Sequence, residues 1–94
     1  MSCCQPTTRR AFLVEKLSNF RKFLEPHCST DEHKAYFNKF GDLDSTMPHL
    51  LQCVALQKAG TLGIAVDHYC AELPAEVVDK VKRYLTMFVE VLTS

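Results

Sequence analysis

The sequence predicts an all-α protein, a compact antiparallel bundle of four to five short helices. Three observations lead to this fold class. Apolar residues recur three and four positions apart in successive segments, which is the spacing of one helix face. Prolines, glycines and capping residues interrupt that pattern at short intervals, so neighbouring helices are joined by short connections and run antiparallel. The chain has 94 residues, 47% of them apolar, as expected for one globular domain. We therefore assign residues 1–6 to a flexible tail and residues 7–94 to a single domain.

The first helical segment runs from about Thr8 to Glu25. Either Thr7 or Thr8 can supply its N-terminal cap. Pro26 ends the helix, because the residue before a proline avoids helical backbone angles. Four apolar residues fall on one face of this segment: Leu13, Leu17, Phe20 and Leu24.

The second helix is indicated by a capping box, in which the side chains of Ser29 and Glu32 each bind a backbone N–H group of the other residue. The apolar residues that follow are Ala35, Tyr36, Phe37 and Phe40. The helix is predicted to end at Gly41, because glycine readily takes the left-handed backbone conformation that closes many helices. The polar stretch from Gly41 to Thr46 is then predicted to be a loop.

A third helix is predicted with Ser45 or Thr46 as its cap and Pro48 in its first turn, where a missing N–H costs nothing. Its predicted apolar face is Met47, Leu50, Leu51 and Val54. Gly60 marks a break in the pattern.

The fourth helix follows Gly60, and its predicted apolar face is Leu62, Val66, Tyr69 and Leu73. The β-branched stretch Ile64 to Val66 is also compatible with a short strand. We favour the helix, since a lone strand would have no partner in this chain.

The last helix has the clearest pattern. Pro74 opens it, and Glu76 and Asp79 lie in its first turns, where the helix dipole favours acidic side chains. Its apolar side chains cover more of the helix than a surface helix usually shows: Val77, Val78, Val81, Tyr84, Leu85, Phe88, Val91 and Leu92. This helix is therefore predicted either to form the centre of the bundle or to pack against a second molecule. In the second case, the interface residues of a homodimer are Val77, Val78, Val81, Tyr84, Leu85, Phe88 and Leu92.

A short stretch of the sequence resembles a known family. The run from Leu50-Leu51-Gln52 to Lys58-Ala59-Gly60, followed by another helix, is similar to the middle of death-fold domains of the caspase-recruitment type. The similarity covers a minor part of the chain. It implies a six-helix interaction module as the alternative fold.

Charge and motif content argue against several classes of function. Eleven basic and eleven acidic side chains cancel, so the chain lacks the basic excess with which nucleic-acid-binding proteins neutralise phosphate. No glycine-rich phosphate loop, serine elbow or paired-carboxylate motif occurs. The histidines and cysteines do not form the close pairs typical of zinc sites. We therefore expect no catalytic residues, no metal, no cofactor and no nucleic-acid partner.

Cysteine usage favours a cytoplasmic compartment, because the count of five is odd and no apolar leader precedes the domain. The N-terminal residues carry one further signal. Met1-Ser2-Cys3-Cys4, followed by Arg9 and Arg10, resembles the dual-palmitoylation tails of membrane-associated signalling proteins. Cys3 and Cys4 are thus candidate lipidation sites, and this tail is the only predicted membrane contact.

The leading functional hypothesis is a non-catalytic protein–protein interaction module that self-associates through its last helix. One alternative is an adaptor tethered to membranes through Cys3 and Cys4. The other is a carrier of a small ligand or cofactor, with a cavity lined by phenylalanines drawn from Phe12, Phe20, Phe23, Phe37, Phe40 and Phe88.

Overall fold

Five α-helices make up most of the part of the chain that the structure describes. This computed structural model describes residues 5–94, with side chains from Arg9 onward. The helices are α1 (Gln5–Leu24), α2 (Asp31–Phe37), α3 (Leu43–Lys58), α4 (Leu62–Tyr69) and α5 (Ala75–Thr93). A 3-10 turn, Glu25–His27, follows α1. The predicted all-α bundle is confirmed, and the described residues form five α-helices instead of the six that the resemblance implied.

α1 and α5 pack antiparallel and hold the centre of the bundle. The ring centroid of Phe20 lies 6.2 Å from that of Phe88 and 5.0 Å from that of Tyr84. Three residues further along α1, the Phe23 centroid lies 6.2 Å from Tyr84 and 4.6 Å from Lys80 Nζ. Residues later in α1 thus contact residues earlier in α5, so the two helices run in opposite directions. α5 also packs against α3 and α4.

The hydrophobic core draws side chains from every helix. All four residues of the predicted α1 face are buried, which confirms the register of that helix. The fully buried aromatic rings meet edge to face, and the centroids of Phe20 and Phe40 are 4.7 Å apart. The other buried residues of this core cluster are Tyr36, Leu43, Leu50, Cys53, Leu62, Val66, Cys70, Val81, Leu85, Phe88 and Val89.

The ends of α2 differ from the prediction. Its cap is Thr30, whose Oγ1 accepts a hydrogen bond from His33 N at 3.1 Å, so the assignment of Ser29 was wrong by one residue. The helix ends at Phe37 and not at Gly41. Bonds of the 3-10 type, such as Phe40 N to Phe37 O at 3.0 Å, satisfy the last carbonyl groups. No left-handed residue is needed there, and the φ of Gly41 is not positive.

α3 begins earlier than predicted. Asp42 is its cap, because Asp42 Oδ1 accepts a hydrogen bond from Ser45 N at 2.8 Å. Residues 43–46, predicted as loop, form the first turn, and Pro48 lies in the second turn. The buried face is Leu43, Thr46, Leu50 and Cys53. Leu51, which the prediction placed on the apolar face, is 55% exposed, so that part of the prediction was wrong.

The break at Gly60 is confirmed. Gly60 has a φ of 74°, which is the left-handed conformation. Its N–H donates to Gln57 O at 3.0 Å, and Thr61 N donates to Leu56 O at 2.9 Å. This pair of bonds is the Schellman arrangement that closes a helix on a glycine. Ile64 to Val66 lies inside α4, so the helical interpretation of that stretch is also confirmed.

α1 begins at Gln5, a few residues before the predicted start, and Pro6 falls in its first turn. None of the described helices is long and apolar enough to cross a membrane.

Candidate functional site

The residues predicted to form a homodimer interface lie in the core of this chain or at its edge. Four of them are buried: Val77, Val81, Leu85 and Phe88. The other three are half-buried: Val78, Tyr84 and Leu92. Large exposed apolar side chains within residues 9–94 lie on other helices: Phe12, Val14, Leu51 and Ile64. The additional apolar side chains of α5 thus pack against α1, α3 and α4 of the same chain. Self-association through α5 stays a prediction.

A groove of about 490 Å³ runs between α1 and the start of α3, and we call it the α1–α3 groove. Val14 and Leu17 on α1, Phe37 on α2 and Leu43 on α3 supply its apolar surface. Val14 is 47% exposed. The remaining lining residues are polar, charged or glycine: Arg10, Ser18, Arg21, Lys22, Glu25, Gly41, Asp42 and Asp44. The groove therefore combines an apolar floor with charged rims.

Charged side chains lie on both rims of this groove. On the α1 rim, the Arg21 guanidinium lies 5.0 Å from the centroid of the Phe37 ring, which holds this cation against the floor. At one end, Arg10 Nη2 lies 3.2 Å from Asp44 Oδ1, and both side chains are exposed, so this ion pair is weak. Asp42 lies on the opposite rim, and its hydrogen bonds from Ser45 lower the pKa of its carboxyl group.

The lining of the α1–α3 groove offers an apolar surface and charged side chains. Its lining contains neither histidine nor cysteine, and Ser18 supplies the only hydroxyl group. A serine without an adjacent base is a weak nucleophile. The groove can bury an apolar side chain and pair with charges around it.

A second groove, of about 520 Å³, lies between α2 and α4, and we call it the α2–α4 groove. Its lining residues are Thr30, Glu32, His33, Ala35, Tyr36, Lys39, His68, Tyr69, Ala71 and Glu72. His33 Nε2 lies 2.8 Å from Ala71 O, which ties α2 to the segment after α4. The rings of Tyr36 and Tyr69 stack with their centroids 4.9 Å apart and their planes 12° from parallel. This groove has an aromatic wall that the sequence analysis did not foresee.

Sequence reasoning missed a histidine–cysteine pair on α3. Cys53 Sγ lies 3.9 Å from His49 Nε2, and the spacing of four residues would have indicated this contact. Burial raises the pKa of Cys53 to about 11, and burial together with the nearby Lys39 lowers the pKa of His49. Both groups are therefore neutral at neutral pH. An activated cysteine needs the opposite shifts, so this pair is packed into the core without forming a nucleophile.

The other described thiols also have raised pKa values. Burial raises the pKa of Cys70 to about 11, and burial and Glu25 raise that of Cys28. Within residues 9–94, no cluster of three or more histidine, cysteine or acidic side chains could hold a metal ion. Cys3 and Cys4 lie outside the described residues, so their lipidation stays a prediction.

The phenylalanines do not gather around either groove. Phe20, Phe40 and Phe88 are fully buried and fill the core by contact with one another. Only Phe37 lines one of the two grooves described above. Phe12 is exposed, and Lys16 Nζ lies 5.3 Å from the centroid of the Phe12 ring. A carrier cavity lined by phenylalanines stays a prediction.

Comparison of the chain with protein-family models, with curated proteins and with solved structures gives no match.

Proposed function

We propose that this chain is a non-catalytic protein-interaction module, and that its α1–α3 groove receives a side chain of a partner protein. The proposal rests on the exposure of Val14, whose side chain is 47% exposed inside a groove with an apolar floor. Protein interfaces commonly combine such an apolar centre with a polar rim. A volume of about 490 Å³ suits one or two large side chains of a partner segment.

The charges around the groove define the partner. Arg10 is already paired with Asp44. Arg21 and Lys22 on α1, set against Glu25 directly after it, leave this rim with one net positive charge. A partner segment therefore carries a large apolar residue to contact Val14 and Leu17. An acidic residue beside that anchor faces the α1 rim.

A binding role agrees with the protonation of the described thiols. Catalysis by Cys53 would need a thiolate at neutral pH, and burial opposes that state. Neither groove contains a cysteine in its lining.

A library of short random peptides, selected on the immobilised chain, tests the proposal. Selected peptides are expected to carry an apolar residue next to an acidic one. Val14→Asp should weaken their binding by about tenfold or more, because a buried valine contact is replaced by a carboxylate. Ile64→Asp is the matched control, since Ile64 is also an exposed apolar residue on a helix, 69% exposed, and lies outside both grooves. Peptides that tolerate Val14→Asp, or a selection without binders, would contradict the proposal.

The alternative to a foreign partner protein is a second copy of this chain. Light scattering in reducing buffer over a wide range of concentration measures the solution mass. A dimer that dissociates on Val14→Asp would make the groove a self-association site. A dimer that Val14→Asp leaves unchanged would place the self-association site elsewhere on the chain.

A further inference from the structure

The helices α1 and α5 lie side by side and share a face that neither groove includes. On α1 and the turn after it, helical spacing aligns one row of side chains: Arg9, Phe12, Lys16, Asn19, Phe23 and His27. On α5 the same spacing aligns a second row: Lys80, Tyr84, Met87 and Val91. The Phe23 centroid lies 6.2 Å from that of Tyr84 and 4.6 Å from Lys80 Nζ, so the two rows are adjacent. We call these ten residues the α1–α5 face.

The α1–α5 face lies on the outside of the bundle. None of its ten side chains is buried. Lys82 is on nearly the opposite side of α5 from the second row, and its Nζ lies 2.9 Å from Asp67 Oδ1 on α4. Arg10, two positions before Phe12 and so nearly opposite to it, pairs with Asp44 on α3. The helices α3 and α4 thus lie on the other side of α1 and α5, which leaves this face open to a partner.

The basic side chains of this face keep their charge. Lys16 Nζ lies 5.3 Å from the Phe12 centroid, and Lys80 lies over Phe23 in the same way. An aromatic ring holds an ammonium group in place by its quadrupole and does not cancel the charge. Within residues 9–94, no ion pair includes either lysine, in contrast to Arg10 and Lys82 on the other side.

Acidic side chains flank the α1–α5 face but do not enter its two rows. Glu15 lies beside the first row, Glu76 lies one turn before the second row, and Arg83 lies beside the second row. Together with the three cations of the face, these flanking groups leave a net charge of +2 (four minus two). The whole chain has a net charge of zero. This face is therefore complementary to an anionic partner.

We propose that the α1–α5 face docks onto a membrane surface that contains anionic phospholipids. Such a surface attracts lysine and arginine side chains that lie close to it. The cations of the face extend over about 21 Å of α1, from Arg9 to the Phe23 ring under Lys80. Lipid headgroups meet cations at any spacing, whereas an acidic protein segment needs carboxylates at matching positions. Phe12, which is 37% exposed, supplies an apolar ring that can enter the headgroup layer.

This contact is additional to the one predicted for Cys3 and Cys4. It is also separate from the α1–α3 groove, because Val14 lies two positions after Phe12 and so on nearly the opposite side of α1. Either proposal can fail without the other.

Sedimentation with vesicles tests the proposal on the full chain, produced without acyltransferases so that Cys3 and Cys4 stay unmodified. One set of vesicles is phosphatidylcholine alone, and the other is phosphatidylcholine and phosphatidylserine at roughly two to one. The chain is expected to sediment with the mixed vesicles and not with phosphatidylcholine alone. Binding should weaken as salt is added, because salt screens exposed charges.

Paired lysine substitutions locate the binding face. Lys16→Gln together with Lys80→Gln should weaken binding to the mixed vesicles about 25-fold, since each cation near an anionic surface contributes about fivefold. The matched control is Lys34→Gln together with Lys58→Gln, which removes the same charge from exposed positions on α2 and α3 outside this face and both grooves. The control should change binding less than about twofold.

A tryptophan probe reports which side of the chain meets the lipid. The chain has no tryptophan, so Phe12→Trp supplies a single one at an exposed position of the face. Its fluorescence emission should shift to shorter wavelength on the mixed vesicles. Ile64→Trp, at an exposed position of α4 on the other side of α5, should show no such shift.

Four results would overturn the proposal. The chain fails to sediment with the mixed vesicles, or it binds phosphatidylcholine alone equally well. The control lysines matter as much as Lys16 and Lys80, or a poly-glutamate peptide binds the chain while the vesicles do not. The last result would make an acidic protein segment the partner of this face. Circular dichroism establishes that each variant is folded.

Discussion

Replacing Tyr36 by phenylalanine should make this protein more stable. The Tyr36 side chain is 3% exposed, and its hydroxyl has no hydrogen-bond partner. Phenylalanine keeps the ring, so the contacts with Tyr69 at 4.9 Å, Phe40 at 5.2 Å and His49 at 6.0 Å between centroids are retained. The substitution removes only the hydroxyl, whose unpaired burial opposes folding.

The expected gain follows from the cost of burying such a group. An unpaired hydroxyl costs about 1–3 kcal/mol in protein mutational data. Removing the oxygen also loses a few dispersion contacts, so we expect a net gain of about 1–2 kcal/mol in the free energy of unfolding. For a domain of this length, each kcal/mol raises Tm by about 4–8 °C.

Urea denaturation measures this gain directly. The midpoint should rise while the slope m is unchanged, because the surface exposed on unfolding is the same. Tyr84→Phe, at a half-buried position on α5, is the control and should change stability by less than about 0.5 kcal/mol. A loss of stability in Tyr36→Phe would mean that the hydroxyl is paired.

Three further predictions concern the core, the caps and pH. Phe20→Ala should cost about 3–5 kcal/mol in urea denaturation, because Phe20 is fully buried among other rings, whereas the exposed Phe12→Ala should cost far less. Thr30→Ala should cost about 1 kcal/mol by removing the α2 cap, and Ser29→Ala, at the cap that the sequence predicted, should have almost no effect. Because burial lowers the pKa of His49 in the folded state, the unfolded chain binds a proton first. The contribution of His49 to stability is therefore complete above its unfolded pKa of about 6.5 and is lost as pH falls below that value. This loss has a slope of at most about 1.4 kcal/mol per pH unit and should be absent in His49→Asn. If the wild type and His49→Asn lose the same stability as the pH falls below about 6.5, the loss does not come from His49.

The helix faces could be predicted where one spacing dominates the segment. On α1 the four apolar residues admit one register, and all four are buried. On α3, Leu50 and Leu51 are adjacent and equally apolar, so the sequence does not decide which faces inward. In the structure the inward face is the one that also carries Leu43, Thr46 and Cys53, so Leu50 is buried and Leu51 is exposed.

Neither candidate groove could be predicted from the sequence. The α1–α3 groove combines residues from three helices and a loop, and their proximity depends on how the helices cross. One feature of the α2–α4 groove is visible in the sequence, because His33 and Tyr36 place polar groups on the apolar face of a helix. Whether such groups find partners in the core depends on neighbours such as Ala71, which lies far along the chain.

The packing of Phe20 against Phe88 joins the first helix to the last, and this has a consequence during synthesis. The two residues are 68 positions apart in the chain. At about 5–20 residues per second, a ribosome needs about 3–14 s to make the intervening segment. For that time the apolar face of α1 lacks the helix that covers it. Aggregation of the nascent chain, or its capture by chaperones, is therefore expected to depend on how soon α5 emerges.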